Sequence, residues 1–308
     1  MLIKKKSLTG SMSATLGQAT RLENLEVTFE PDTSILWKFI KTTASPHFSH
    51  ELLDDIRFVQ TRIENQGRAS TRRGTPSPVK YVVFGSRRPG VFSLGGDLRL
   101  FRDLILKGDA DGLREYAEKA TAAVFHHACT GANTLSFSLV QGNAMGGGFE
   151  AALAGNVLVA ERGTRLGFPE VLFGLFPGMG AYTLLRRRVE RRVAENIILS
   201  ARNYTAEALY ELGVVDYLCD PGTGEQQIRD IVSRHAHRPG ELAFRCAVSR
   251  CQEMDRQELD TIAAAWVESA MALGSSELRR IERLVANQQK AFAEDDTGPS
   301  AQILAAAV

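Results

Sequence analysis

The segment from residue 133 to residue 161 constrains the fold of the chain most strongly. It reads as an apolar stretch NTLSFSLV, a Gly-rich turn QGNAMGGG, a short helical pattern FEAALAG and a second apolar stretch NVLVAE. Strand, turn, helix and strand in this order are typical of a βαβ unit, whose two strands run parallel in one sheet. VKYVVFGS, at residues 79–86, is another short apolar strand of the kind buried on both faces. We therefore expect an α/β fold built around a parallel sheet.

The strand and helix patterns also divide the 308 residues into regions. From about residue 206 the patterns become mostly helical, and they end in amphipathic segments such as LDTIAAAWVESAMAL and ELRRIERLVANQQKAF. We expect a flexible N-terminal extension at residues 1–20, an α/β core at 21–220, a C-terminal helical region at 221–292 and a flexible tail at 293–308. Within the core, LEVTFEPDTSILWKFIK predicts two strands around a turn, and Ser49 and Asp97 are expected to cap helices.

The overall composition is that of a globular protein without an obvious polyanionic partner. The formal net charge is +1 and 44% of the residues are hydrophobic, so the sequence favours neither nucleic-acid binding nor attraction to an anionic membrane. Residues 120–149 carry no Asp, Glu, Lys or Arg, but polar residues and glycines interrupt them, which predicts buried core rather than a membrane insertion. The cysteines lack CxxC spacing, which predicts reduced thiols in a cytoplasmic protein and no metal site: Cys129, Cys219, Cys246 and Cys251.

Two glycine-containing turns are the first candidates for chemistry. FSLGGD, at residues 92–97, and MGGGFE, at residues 145–150, each follow a strand and precede a helix, so each presents free backbone N–H groups at a helix start. Glycine weakens a helix unless the backbone itself has to be approached closely. Two such turns that meet in space provide a pair of fixed donors, which stabilise an oxyanion or a thioester enolate without reorganisation.

Two glutamates follow the second turn. Glu150 lies in the first turn of the helix after the glycines, and Glu170 follows Pro169 in an apolar run, which predicts a carboxylate in an apolar cleft. Two carboxylates in unlike environments can divide the roles of general base and general acid, although the sequence does not assign which is which. Each feature alone has a structural explanation, since glycines permit close packing and a first-turn glutamate complements the helix dipole. Their combination favours a catalytic site.

Other motifs carry less information. The chain has no GxxxxGK[ST] loop and no GxSxG elbow, and GNAMGGGF does not match GxGxxG. His126 and His127 are expected to be core or surface residues rather than metal ligands. The basic run LLRRRVERRV, at residues 184–193, predicts a solvated helix face, with docking of an acidic carrier protein or a phosphate-bearing tail as the functional alternative.

Four segments in about residues 80–218 resemble the crotonase, or enoyl-CoA hydratase/isomerase, superfamily: VFSLGGDL, VQGNAMGGGFEAALAGNVLVAE, LGFPEVLFGLFPGMGA and ARNYTAEALYELGVVDYL. The resemblance implies a spiral of ββα units, a C-terminal α-helical oligomerisation region, a homotrimer or a dimer of trimers, and no cofactor. It maps the oxyanion-hole donors to the N–H groups of Leu94 and Gly147, and the paired acids to Glu150 and Glu170. Gly95 and Gly146 would flank the bound thioester.

Within the superfamily, GGGFEAAL, FPEVLFGLFPGMGAY and LWKFIKTTASPHFSHELLDDIR resemble the diffusible signal factor synthases. This branch implies dehydration of a 3-hydroxyacyl thioester on acyl carrier protein, followed by hydrolysis to a free cis-2-unsaturated fatty acid that serves in quorum sensing. It also implies a membrane sensor kinase as a possible regulatory partner. The expected medium-length acyl chain would need an apolar tunnel, for which the bulky candidates are Phe173, Phe176, Met179 and Tyr182.

Two further functions compete with a signal synthase. One is a conventional enoyl-CoA hydratase or isomerase acting on CoA esters in fatty-acid metabolism, which a trans-2 product would indicate. The other is a catalytically silent relative that serves as a scaffold or binds RNA. The presence of both glutamates and both glycine turns argues against a catalytically silent protein, and the near-neutral net charge does not predict the basic surface that RNA binding requires.

Overall fold

The short apolar segments form strands that fall into two sheets in the computed structural model of the protein, which describes residues 22–72, 79–131, 133–252 and 254–295. The strands, in chain order, are β1 (Leu25–Glu30), β2 (Ile35–Ile40), β3 (Tyr81–Ser86), β4 (Val91–Ser93), β5 (Leu135–Val140), β6 (Asn143–Met145), β7 (Val157–Glu161), β8 (Arg165–Gly167), β9 (Asn203–Thr205) and β10 (Tyr217–Cys219). The larger sheet has the order β1-β2-β3-β5-β7-β10, and the smaller has the order β4-β6-β8-β9.

Helices follow most of the strands. They are α1 (His50–Arg72), α2 (Leu98–Lys107), α3 (Ala110–Ala128), α4 (Gly147–Leu153), α5 (Ala181–Leu185), α6 (Arg191–Leu199), α7 (Ala206–Glu211), α8 (Gly224–His237), α9 (Pro239–Cys251), α10 (Arg256–Met271) and α11 (Ser275–Asp295), with a 3₁₀ turn at Glu170–Phe173. Both predicted caps are confirmed. Ser49 Oγ accepts a hydrogen bond from the Leu52 N–H, and the Asp97 carboxylate accepts from the first N–H groups of α2.

The two sheets are connected as a spiral of ββα units. β3 and β4 are followed by α2 and α3, β5 and β6 by α4, and β7 and β8 by the 3₁₀ turn and α5, so each unit contributes one strand to each sheet. The strands from β2 to β10 pair in parallel in the larger sheet, while β1 pairs antiparallel with β2 at its edge. The predicted crotonase-like α/β fold with a C-terminal helical region is therefore confirmed.

The central strands of the larger sheet, β2, β3, β5 and β7, are buried on both faces, and β2 shows how their residues divide. Ile35, Trp37 and Phe39 pack on the side of α8, whereas Leu36 and Ile40 belong to the main core. Successive side chains alternate between the two faces of a strand, so Lys38 lies on the main-core face together with Leu36 and Ile40. A lysine in this position is buried, with 2% of its surface exposed.

The predicted regional division stays a prediction, although the order of elements follows it. The last strand ends at Cys219, and helices α8 to α11 follow from Gly224. The final helix runs to Asp295, while residues 1–21 and 296–308 lie outside the described part of the chain. In the described residues, no helix combines the length and the apolar character that a membrane crossing requires. The uncharged segment 120–149 instead forms parts of α3, β5, β6 and α4.

Candidate active site

The two predicted glycine turns meet in space. Gly95 has a φ of +87°, and a Cβ atom at this position would lie 2.7 Å from the Met145 carbonyl oxygen and 2.8 Å from the Gly147 nitrogen. A Cβ atom on Gly147 would in turn lie 3.5 Å from the Gly96 nitrogen. Only glycine permits this approach of two backbones, because any side chain would separate them. The convergence of the turns that the sequence predicted is seen directly.

The neighbouring glycines of the GGG sequence are also required by close contacts. Gly146 has a φ of +54°, and a Cβ atom there would lie 2.5 Å from Oε1 of Glu170. A Cβ atom on Gly148 would overlap the Ser93 carbonyl oxygen. The triple glycine thus brings helix α4 against the first turn and leaves space for the glutamate carboxyl group.

The Leu94 N–H is not a free donor, which contradicts its predicted role in an oxyanion hole. It donates to the Pro46 carbonyl oxygen at 2.8 Å. Among the described residues, the N–H groups of Gly96 and Gly147 have no acceptor, and both glycines line the same pocket. The pair of free donors beside the pocket therefore consists of Gly96 and Gly147, two residues further along the first turn than expected.

Glu150 is held by the loop that precedes α5. Its side chain is 1% exposed, and its Oε1 accepts hydrogen bonds from the Met179 N–H at 2.7 Å and the Ala181 N–H at 2.9 Å. Burial raises the pKa of Glu150 to about 7, while the backbone donors of residues 179–181 act in the opposite direction. The FPGMGA sequence thus supplies the amides that stabilise the ionised form of Glu150.

Glu170 lies at the start of the 3₁₀ turn and has no comparable support. Its Oε2 atom is buried, and no residue in the described part of the chain forms a hydrogen bond with it. Burial, followed by the nearby charge of Glu150, raises the pKa of Glu170 well above its ordinary value. The two carboxyl groups therefore lie in unlike environments, and Glu150 ionises before Glu170.

Both glutamates line one predominantly apolar pocket. Its wall includes Gly96, Gly146 and Gly147 from the two turns. Further lining side chains come from α2, α3 and the C-terminal helices, and they include Phe101, Tyr116, Trp266 and Leu284. Such a pocket suits an acyl group whose reactive end lies at the glutamates.

The predicted acyl-contact residues divide into two groups. Phe173 and Met179 line the pocket, but Phe176 and Tyr182 do not. Phe176 packs against the main core, and Tyr182 is 40% exposed because α5 turns its side chain outward. The predictions for Phe176 and Tyr182 as pocket residues are therefore wrong in this structure.

Several lining residues were not predicted. Phe101, Tyr116, Trp266 and Leu284 come from distant helices, and Asn203 comes from β9. The apolar periodicity of α10 indicates that Trp266 is buried, but it does not identify what Trp266 faces. The packing of α10 against α3, and of α11 against α2 and the 3₁₀ turn, brings the C-terminal region to the pocket.

In the part of the chain that the structure describes, neither a metal site nor the basic run at residues 184–193 adds a second reaction centre to this pocket. No group of His, Cys, Asp and Glu suited to a metal ion occurs in the described residues. The basic run is only partly a solvated face. Arg186 and Arg192 are exposed, but Arg188 is mostly buried and its guanidinium contacts the Asp216 carboxylate at 2.7 Å.

Comparison with known proteins defines the class of this chain. Residues 71–247 match the sequence model of the enoyl-CoA hydratase/isomerase family, so the chain belongs to that family. It is 34% identical over 138 residues to cyclohexa-1,5-dienecarbonyl-CoA hydratase from Thauera aromatica, covering 43% of this chain and 52% of that protein. It is 32% identical over 139 residues to mevalonyl-coenzyme A hydratase SIDH from Beauveria bassiana, covering 42% of this chain and 48% of that protein. The chain thus spans about half the length of these curated relatives.

The fold comparison extends over nearly the whole chain. An enoyl-CoA hydratase/isomerase structure from Xanthobacter autotrophicus Py2 superposes with a TM-score of 0.69 and 20% identity. The match covers 90% of this chain and 99% of that one. The superposition supports the same spiral fold.

Proposed function

We propose that the protein catalyses the reversible hydration of a 2-enoyl thioester to a 3-hydroxyacyl thioester, with coenzyme A as the carrier. The observation that carries this proposal is the placement of two buried carboxyl groups, Glu150 and Glu170, in one apolar pocket beside two free backbone N–H groups. Addition of water across a conjugated double bond requires a base, an acid and stabilisation of an enolate. These groups can supply all three.

The N–H groups of Gly96 and Gly147 are assigned to the thioester carbonyl oxygen. When water attacks C3, the electron pair of the C2–C3 double bond moves toward C2 and the carbonyl oxygen, which gains negative charge. Two fixed backbone donors stabilise that charge more strongly in the transition state than in the ground state. Loss of one such donor typically costs a factor of about 10²–10³ in kcat.

The unlike environments of the glutamates assign their roles. Two backbone N–H groups favour the ionised form of Glu150, so Glu150 is the base that takes a proton from the attacking water. Glu170 has an unsupported buried carboxyl group, so it stays protonated and delivers its proton to C2. Dehydration runs through the same steps in reverse, with Glu170 taking the C2 proton and Glu150 protonating the departing hydroxyl group.

The family supports a CoA thioester as the substrate class. Both curated relatives described above are named as hydratases of CoA compounds, and the apolar pocket leaves room for an acyl group. We therefore place the hydratase ahead of the signal synthase that the sequence resemblance suggested.

A synthase of a cis-2-unsaturated fatty-acid signal is the finer alternative. It would use the same Glu150 and Glu170 pair on a 3-hydroxyacyl group carried by acyl carrier protein, and would then hydrolyse the enoyl thioester. The largely apolar lining of the pocket fits its medium-length acyl chain. Docking of a carrier protein, regulation by a sensor kinase and assembly into a homotrimer or a dimer of trimers belong to this proposal as predictions.

One set of incubations tests these functions together. Purified protein is incubated with trans-2-dodecenoyl-CoA and with 3-hydroxydodecanoyl groups on CoA and on acyl carrier protein, and the products are separated by chromatography and identified by mass spectrometry. We expect interconversion of the CoA esters by the wild type, and its loss in Glu150→Gln and Glu170→Gln. Glu161→Gln, which alters a buried glutamate outside the pocket, is the matched control and should retain activity.

The products distinguish the alternatives. Release of free cis-2-dodecenoic acid from the carrier-protein substrate would replace the hydratase with the signal synthase. No turnover of any thioester by well-folded protein would refute both enzymes and favour a scaffold role. Full activity in either pocket variant would refute the division of base and acid.

A further inference from the structure

A second cavity lies behind Met179. Met179 lines both the reaction pocket and this inner cavity, and the remaining wall comes from α1, α3, α4 and the larger sheet. The inner cavity has room for roughly one or two water-sized groups. Met179 has a flexible thioether side chain that can adopt several rotamers, so part of the boundary between the two spaces is able to move aside.

Helix α3 runs continuously from one space to the other. One face of this helix lines both spaces. Tyr116, Ala117 and Ala120 line the reaction pocket, and Ala123, Val124 and His127 line the inner cavity. The axial rise from Tyr116 to His127 is about 16 Å. An acyl chain extended along this helical face would therefore span both spaces.

Helix α4 gives the same alignment from the opposite side. Glu150 faces the reaction pocket, whereas Ala151 and Ala154 line the inner cavity. Small alanine side chains at these positions leave the space beyond Met179 open. A chain bound with its thioester at the glutamates is therefore directed along α3 and α4 toward the inner cavity.

The far end of the inner cavity is polar. Lys38, Gln60 and His127 line it, and each is at least nine-tenths buried. Gln60 Oε1 and His127 Nδ1 have no hydrogen-bond partner in the described part of the chain. The Lys38 Nζ atom lies 5.6 Å from the centre of the Phe84 ring.

The charge of Lys38 is not balanced inside this cavity. No Asp or Glu is among the described residues that line it. Burial lowers the pKa of Lys38 to about 8, and burial together with Lys38 holds the pKa of His127 well below its ordinary value. A buried ammonium group without a carboxylate is unfavourable until an anion pairs with it.

We propose that the inner cavity receives the far end of the acyl chain, and that this end carries a carboxylate which pairs with Lys38. The preferred substrates would then be thioesters of dicarboxylic acids, with one carboxyl group joined to the carrier and the other bound at Lys38. The inference rests on the proposed thioester function and narrows its substrate class. Entry requires the Met179 side chain to turn aside. The carboxylate fills the cavity, and the other ammonium hydrogens remain available to the Gln60 and His127 acceptors.

Binding measurements test this site without depending on turnover. Saturated acyl-CoA esters from hexanoyl to hexadecanoyl are compared by calorimetry with esters of the same length that end in a carboxylate. For chains long enough to reach Lys38, we expect the wild type to bind the carboxylate-ended ester at least about tenfold more tightly. Lys38→Met should abolish this preference and keep its affinity for the methyl-ended ester. Lys80→Met, which alters an exposed lysine, should behave like the wild type.

The outcomes separate this inference from the proposed function. A ratio near one in the wild type at every length, or a preference that survives in Lys38→Met, would overturn the carboxylate site even if hydration is observed. A Lys38-dependent preference without any hydration would retain the site and refute the hydratase. Circular dichroism verifies the fold of Lys38→Met, and Lys38→Gln provides a second uncharged variant. Tighter binding of short free carboxylates than of the long esters would assign the cavity to a small anion and overturn the acyl-end proposal.

Discussion

Replacing Glu150 by glutamine should stabilise the protein while it removes activity. The folded carboxyl group has a pKa of about 7, whereas an unfolded glutamate ionises near pH 4.3, so the folded state binds more protons between these values. Wild-type stability therefore falls as the pH rises through this window, and above pH 7 the buried carboxylate costs about 4 kcal/mol. The glutamine amide keeps an oxygen that accepts from the Met179 and Ala181 N–H groups. Its NH₂ group is buried without a partner, however, and this reduces the gain in stability by about 1–2 kcal/mol. The net gain at pH 8 is about 2–3 kcal/mol.

Equilibrium urea unfolding at pH 5 and pH 8 measures this gain. We expect Glu150→Gln to exceed the wild type at pH 8 and to lose its advantage at pH 5, where the wild-type carboxyl group is protonated. Glu161→Gln provides the matched control. Its carboxylate is also buried, but it accepts hydrogen bonds from the Gly224 N–H and the Gln141 amide outside the pocket.

The same variant should lose hydration activity by a factor of about 10²–10⁴, the contribution of a positioned general base. A purely structural glutamate at the start of α4 would behave differently, because its replacement would lower stability at both pH values and leave the chemistry to the other groups. A pH-independent loss of stability, or activity within threefold of the wild type, would refute the combined role that burial and hydrogen bonding assign to Glu150.

Three further predictions follow from the same contacts. Gly148→Ala should lower the free energy of unfolding by about 3 kcal/mol, because its Cβ would overlap the Ser93 carbonyl oxygen. Urea unfolding measures this loss, and Gly240→Ala, where a Cβ atom meets nothing within 4 Å, is the control that should show no such loss. The kcat/KM for hydration should rise as the pH increases through about 7, where Glu150 ionises, reach its maximum above pH 7 and fall at higher pH as Glu170 deprotonates. A profile that is flat from pH 6 to 8 would contradict this. Lys38→Met should stabilise the protein by up to about 3 kcal/mol below pH 8, and this gain should shrink toward pH 10 as the wild-type ammonium group loses its proton. Urea unfolding of the variant and the wild type at each pH measures the difference in their free energies of unfolding.

The sequence predicts the spiral framework well because its signals are local. The apolar stretches of β3, β5 and β7 are short and bounded by turns, so they specify buried strands without knowledge of the rest of the chain. Ser49 and Asp97 cap helices through hydrogen bonds to residues only two or three positions away. The glycine turns are equally visible, since several glycines before a helix have few purely local explanations.

The pocket wall is less predictable because it depends on contacts between distant segments. The bulk of Phe176 and Tyr182 suggested an acyl tunnel, but a large apolar residue after Glu170 can face the core or solvent as easily as the substrate. Trp266 reaches the pocket only because α10 packs against α3. Similarly, the Leu94 N–H is unavailable to a ligand because it donates to the Pro46 carbonyl oxygen in the loop before α1, which leaves the Gly96 N–H as the free donor among the described residues of the first turn.

Lys38 and Glu150 can both be recognised in the sequence as charged residues at positions where the surrounding pattern predicts an apolar one. In ILWKFI, Lys38 shares the face of Leu36 and Ile40, and in GGGFEAAL Glu150 lies on a helix that is buried on all sides. Burial of either ion carries a desolvation cost that a merely structural sequence would avoid with an apolar side chain. The backbone amides of residues 179–181 offset this cost for Glu150, whereas Lys38 has no carboxylate in its described surroundings. The same argument that places Glu150 in the reaction supports the proposed ligand at Lys38, since no carboxylate among the described residues that line its cavity supplies a counter-charge.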